Sequence, residues 1–260
     1  MMKFLIVLFI SIIFSMTGEE LSILMDNRES PNDVSSELNM EITNKKGRVR
    51  KSKIKSISKD NNAKQILWFL SPADDKGVSY LKIEHDNQDD EIRLWLPGFK
   101  KIRRISSNKK ADSFMGSDLS YEDMTSRQIK DYTFEITNSN IVLADGSHTN
   151  DNTDTPGKSY YILESTPNGI DSEYSRHVTW VEDDTYLTIK EESYDKNGNL
   201  LKLKKFKYQL IDSFNLVSEI FVENIQKKST TKLVFSNLNI NTGVKNKLFQ
   251  EKNMKRLPRK

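Results

Sequence analysis

Residues Glu91–Met124, EIRLWLPGFKKIRRISSNKKADSFMGSDLSYEDM, decide how the rest of the chain is read. Ile92, Leu94 and Leu96 alternate with Glu91, Arg93 and Trp95, the two-residue period of a half-buried strand. Pro97-Gly98 ends it, because proline has no N–H for a ladder and the pair favours a turn. Lys100–Ser106 returns as a second strand, with Lys101, Arg103 and Arg104 around Ile102 and Ile105. Those isoleucines are three apart, so alternation fails and a bulge or twist is expected. Next comes Ser113-Phe114-Met115-Gly116-Ser117-Asp118, an apolar pair between small residues. Ser120, with Asp123 three positions on, has the form of a helix N-cap.

Outward from this hairpin the reading is almost all strand. Upstream, Ser36-Leu38-Met40-Ile42 alternate with charged and polar residues, and Asn44–Gly47 is a turn. Arg48–Ser58 alternates weakly around Ile54, and Gln65–Leu70 is a continuous apolar run, as where both strand faces are covered. Ser79-Leu81-Ile83 alternate again. Downstream, Tyr132-Phe134-Ile136, Tyr160–Leu163, Val178–Val181 and Tyr186–Glu191 are strands, and Asn197-Gly198 marks a tight hairpin. Ala144–Gly157 is polar and turn-rich, an exposed loop. Its Asp145, Asp151 and Asp154 lack the spacing of a Ca²⁺ loop, so solvated carboxylates are the preferred reading. Leu201 and Leu203 fall on one strand face, and Phe206, Tyr208 and Leu210 on the other. That implies a bulge or a change of neighbours. Val244 and Leu248 suggest a short closing helix before a basic tail.

Lys3 followed by the apolar run Phe4–Phe14 has the form of a signal peptide, shorter than the roughly 20 residues that span a bilayer. Ser15 and Thr17 suit a cut before Gly18, giving a leader at 1–17 and one domain at 18–260; an uncleaved anchor is the alternative. Leu21, Leu24, Met25 and Arg28 share one face of a helix opening the mature chain. There is no cysteine, which excludes a lipid-modified N-terminal Cys and a disulfide framework. The expected location is the periplasm of a double-membraned bacterium, or outside the cell. A formal charge of +3 with interspersed signs argues against nucleic acid as a partner. An apolar share of 36% fits a thin core wrapped by long strands better than a thick layered one.

Leu94-Trp95-Leu96-Pro97, Arg103-Arg104-Ile105-Ser106-Ser107, Phe114-Met115-Gly116-Ser117-Asp118 and Ser120-Tyr121-Glu122-Asp123 together resemble the outer membrane lipoprotein-sorting protein family, related to the LolA and LolB carriers. The resemblance implies a mainly β fold, an incomplete antiparallel barrel whose apolar concave side is covered by helices. It implies a carrier of a lipid or lipoprotein acyl group, with an RND-type inner-membrane transporter or an outer-membrane acceptor as partner. An envelope sensor or interaction module of the same fold is the alternative. Trp68, Leu70, Leu94, Leu96, Phe114, Met115, Leu119, Tyr121, Phe134 and Phe206 are the candidate ligand-binding residues; ordinary core is the competing reading for such side chains. Arg103, Arg104, Asp118, Glu122 and Asp123 are the candidate contacts to a partner or head group. Phe114, Met115 and Tyr121 are expected to form a movable cover.

The chain offers little catalytic chemistry. Its three histidines, His85, His148 and His177, form no metal-binding pair, and no nucleophile elbow or phosphate loop occurs. Adjacent carboxylates such as Glu191-Glu192 face opposite ways in a strand. No enzyme activity, cofactor or metal is expected.

Overall fold

The computed structural model describes residues 16–142 and 158–258; the leader with Lys3 and Phe4–Phe14, His148 and the loop Ala144–Gly157 lie outside them. Six strands form a first meander: β1 (Asp33–Thr43), β2 (Val49–Lys59), β3 (Lys64–Ser71), β4 (Ser79–Ile83), β5 (Glu91–Leu96) and β6 (Lys101–Ile105). Seven form a second: β7 (Tyr132–Val142), β8 (Ser159–Pro167), β9 (Tyr174–Glu182), β10 (Thr188–Asp195), β11 (Leu200–Ile211), β12 (Phe214–Asn224) and β13 (Ser229–Ile240). The meanders join edge to edge through β1 and β13, giving one antiparallel sheet of 13 strands with β6 and β7 as its free edges. Asp33 seals the join by accepting from the backbone N–H groups of Thr242, Gly243 and Val244 and from the Thr242 hydroxyl. Residues 106–131 cross from one free edge to the other, so the barrel is incomplete.

The pleat divides the apolar residues between two faces. The register pairs Leu38 with Phe235, Met40 with Leu233, Leu38 with Ile54 and Tyr80 with Leu94, so these line one side, the concave one. They form the main core with Leu67, Phe69 and Ile92. The opposite face buries Ile66, Trp68 and Leu81 under Phe249 and Met254 of the C-terminal segment. The apolar run in β3 is therefore covered on both faces, as its composition requires.

Helix α1 (Gly18–Asp26) begins with a reciprocal cap: Thr17 Oγ1 accepts from the Glu20 N–H, and the Glu20 carboxylate accepts from the Thr17 N–H. It packs through Leu21 on Leu163 and Val181, with Met25 and Phe134 beside them. Gly18 is required, since a Cβ there would lie 2.6 Å from the Phe134 carbonyl carbon. Leu24, expected on the packed face, is exposed.

Two local expectations are overturned, and a third holds only in part. The β5–β6 hairpin runs in unbroken register from Ile92↔Ile105 to Leu96↔Lys101. Ile105 faces the core and Ile102 pairs with Trp95, so the two isoleucines serve opposite faces and no bulge is needed. Ser120 and Asp123 do make the reciprocal cap bonds, but only a turn follows, because the chain must bend back to the sheet. On β11 the concave face does not switch. Lys202 and Lys204 are buried on it, in line with Phe206 and Tyr208, and Leu201 and Leu203 point the other way. A register shift does occur between Lys207 and Tyr208, against β12.

Candidate functional site

A cavity of about 870 Å³ lies on the concave face. Its apolar wall comes from Leu38, Leu67, Phe206, Ile220, Leu233 and Phe235, on β1, β3, β11, β12 and β13. The last turn of α1, with Met25 and Asp26, reaches its rim. The crossover supplies Leu119, Glu122, Asp123 and Arg127.

The crossover is anchored to the sheet at two places. At the first, Phe114 inserts into the core. Its ring meets Tyr80 edge-on at 5.3 Å and Tyr121 edge-on at 5.9 Å between centroids, the arrangement aromatic quadrupoles favour. Asp118 is held beside it by the Thr231 hydroxyl at 2.8 Å and returns the contact through its own N–H at 2.9 Å.

At the second, a buried ionic network takes over. Asp123 accepts from Lys202 Nζ at 2.8 Å, from the Tyr174 hydroxyl at 2.8 Å and from Lys204 Nζ. Arg127 grips Glu191 with two parallel bonds of 2.6 and 2.8 Å, and Lys204 also reaches Glu191 at 3.1 Å. His177 Nδ1 lies 3.2 Å from Arg127 Nη2 and 2.9 Å from Ser193 Oγ. Burial alone would raise the carboxyls of Asp123 and Glu191, yet the surrounding cations hold both well below the usual range. Burial, reinforced by Arg127, pushes the His177 imidazole well below its ordinary value, so the ring is neutral. Glu122, half-buried and bonded to Ser172 and to the Glu173 N–H, is shifted upward by its loss of solvent.

This geometry redistributes the residues singled out from sequence. Leu119 and Phe206 line the cavity. Leu94, Phe114 and Tyr121 are core, with Leu96 and Met115 half-buried against them, so the stretch expected to be a movable cover is packed into the core in this structure. Trp68 lies on the other face of the sheet, its indole N–H donating to the Asn253 carbonyl, and Leu70 is exposed. The neighbours Leu67 and Phe69 take the inward positions, because residues one apart on a strand face oppositely. Phe134 supports α1. Asp118, Glu122 and Asp123, expected to contact a partner or head group, are each engaged with the protein itself, and Glu122 and Asp123 also line the cavity. Arg103 and Arg104 are exposed, with Arg103 3.7 Å from Asp112.

Sequence reasoning missed Arg127, Tyr174, Glu191, Lys202 and Lys204. The signal for the lysines was parity: counted from the Asn197-Gly198 turn, Lys202 and Lys204 fall on the face of Phe206 and Tyr208. Among the described residues no group of three or more His, Asp or Glu is arranged to hold a metal ion.

The comparisons with known proteins agree with this architecture. A family model described only as an uncharacterized protein matches residues 61–256. No curated protein matches the chain. The crystal structure of a DUF1329 family protein from Desulfovibrio piger is 31% identical, with a TM-score of 0.80, covering 91% of this chain and 97% of that one. A structure from Vibrio parahaemolyticus, described as an outer membrane lipoprotein-sorting protein domain, is 28% identical with a TM-score of 0.81, covering 92% and 98%. A LolA superfamily protein from Nitrosomonas europaea, 16% identical with a TM-score of 0.68 over 92% and 99%, shares the fold. The chain belongs to the DUF1329 family and has its LolA-like, incomplete β-barrel fold.

Proposed function

We propose that the protein is an exported, non-catalytic carrier that holds an acyl chain of a lipid or lipoprotein in the concave cavity. The observation that carries this reading is the cavity of about 870 Å³ walled by leucine, isoleucine and phenylalanine on the inner side of an open sheet. That volume falls within the roughly 300–1,000 Å³ usual for small-molecule sites. Each methylene moved from water to such a wall contributes about 0.8 kcal/mol. The description of the Vibrio parahaemolyticus protein supports the same reading.

The leader-like segment before Gly18 supports a periplasmic location, with loading and release through an RND-type transporter or an outer-membrane acceptor. Mass spectrometry of the protein purified under native conditions from its own envelope tests the reading. An acylated molecule in near-equimolar amount is the expected result. Protein that is lipid-free when purified without detergent, and that takes up no acyl probe, would sink it.

A further inference from the structure

A holder of hydrocarbon needs no ions, yet the ionic network on β9–β11 lines the same cavity as the apolar wall. Its carboxylates are already engaged, so its spare capacity lies in donors. Arg127 carries five N–H groups, and its bonds to Glu191 and His177 use three of them. The guanidinium sits deep in the fold, but 32% of its side-chain surface stays open. Arg127 can only donate, so Nδ1 of the neutral His177 accepts and the ring proton rests on Nε2. That Nε2 is buried without a hydrogen-bond partner. The floor therefore lacks acceptors.

Charge narrows the kind of acceptor. Among the described residues ten carboxylates line the cavity against six lysines and arginines, so an added anion would meet repulsion. An uncharged oxygen would not. Placement narrows it further. Lys204 and Phe206 are successive inward residues of β11, so a group on the polar floor directs an attached chain onto the apolar wall.

We propose that Arg127, backed by His177, forms a subsite for the ester or amide carbonyl of an acylated ligand, so that the cavity selects esterified or amide-linked chains over free fatty acids. This rests on the carrier reading and adds the chemistry of the head.

The test is displacement of a bound apolar fluorescent probe from the full-length folded protein at pH 7.5. The competitors are 1-palmitoylglycerol, an N-palmitoyl tripeptide and palmitate. The glycerol ester or the acyl peptide should displace the probe at about tenfold lower concentration than palmitate, the worth of one charge-assisted hydrogen bond. Which of the two does so separates a lipid ester from a lipoprotein amide as the source. In Arg127→Gln/Glu191→Gln, which removes both partners and strands neither charge, that advantage over palmitate should collapse. Palmitate binding as well as either competitor in the natural protein would overturn the proposal, and needs no variant. So would an advantage that survives in the double variant. If the natural protein binds probe without regard to head group, only the subsite fails; if it binds no probe, the carrier reading fails with it.

Discussion

On the β1–β6 side of the concave face the crossover is held by rings, and on the β9–β11 side by ions. Phe114 between Tyr80 and Tyr121 excludes water and asks nothing of protonation. Asp123 and Arg127 work only while charged and paired, in surroundings where an unpaired charge is expensive. Phe114 and the Asp123 side chain are both buried, but the failure modes of the two regions differ. The aromatic anchor loosens by degrees as volume is removed. The ionic anchor fails when one partner is removed and the opposite charge is left unpaired, and it responds to pH.

The largest effect should come from Asp123→Ala, which leaves Lys202 and Lys204 buried without their shared carboxylate. A loss of about 3–5 kcal/mol should appear in urea unfolding, since Lys202 would keep only the carboxylate of Glu173 and Lys204 only that of Glu191. If stability barely changes, the ionic side is not an anchor and the contrast breaks. Phe114→Ala should follow, in the lower part of the roughly 3–5 kcal/mol range for a buried phenylalanine. Retained stability would restore the movable cover expected from the sequence.

The pH response sharpens the contrast. His177 is held neutral in the fold, with its pKa depressed, while the unfolded ring titrates near the ordinary value of about 6.5. Its contribution is full above that value and is lost as pH falls toward the folded value. The carboxyls of Asp123 and Glu191, also depressed, add a second loss below their unfolded values of about 4. The urea midpoint should therefore decline between pH 7 and 5, and His177→Gln should flatten that limb while leaving the one below pH 4. An unchanged slope in the variant would show that His177 does not report on the ionic side. The smallest effect should be that of Arg103→Gln, within about 0.5 kcal/mol, since Arg103 belongs to neither anchor. A larger loss would add a third.

The sequence carried the strands well and the site poorly, for reasons visible in particular residues. Alternation in Glu91–Leu96 and the apolar run at Gln65–Leu70 specified real elements, since side-chain period and burial agree there. The same run concealed which of Leu67 and Trp68 faces inward, because a strand apolar on both sides does not announce its concave face. Lys202 and Lys204 drew no notice as inward residues, because lysine is almost never buried unless paired. Their partner Asp123 lies some 80 positions away, and nothing local in the sequence signals that meeting.

The join between β1 and β13 bears on how the molecule is made. Among the described residues every other strand pairing links chain neighbours, but this one brings Val34 to Ile240, and Asp33 waits for residues 242–244. Each meander can form from local contacts, whereas the seam closes the longest loop in the chain and should be the slow step. Until residue 240 has emerged, β1 and β12 are both unpaired edges, the kind that recruits other chains. Newly made protein thus passes through a stage at which it is prone to aggregate, and a C-terminal truncation before β13 would hold it there.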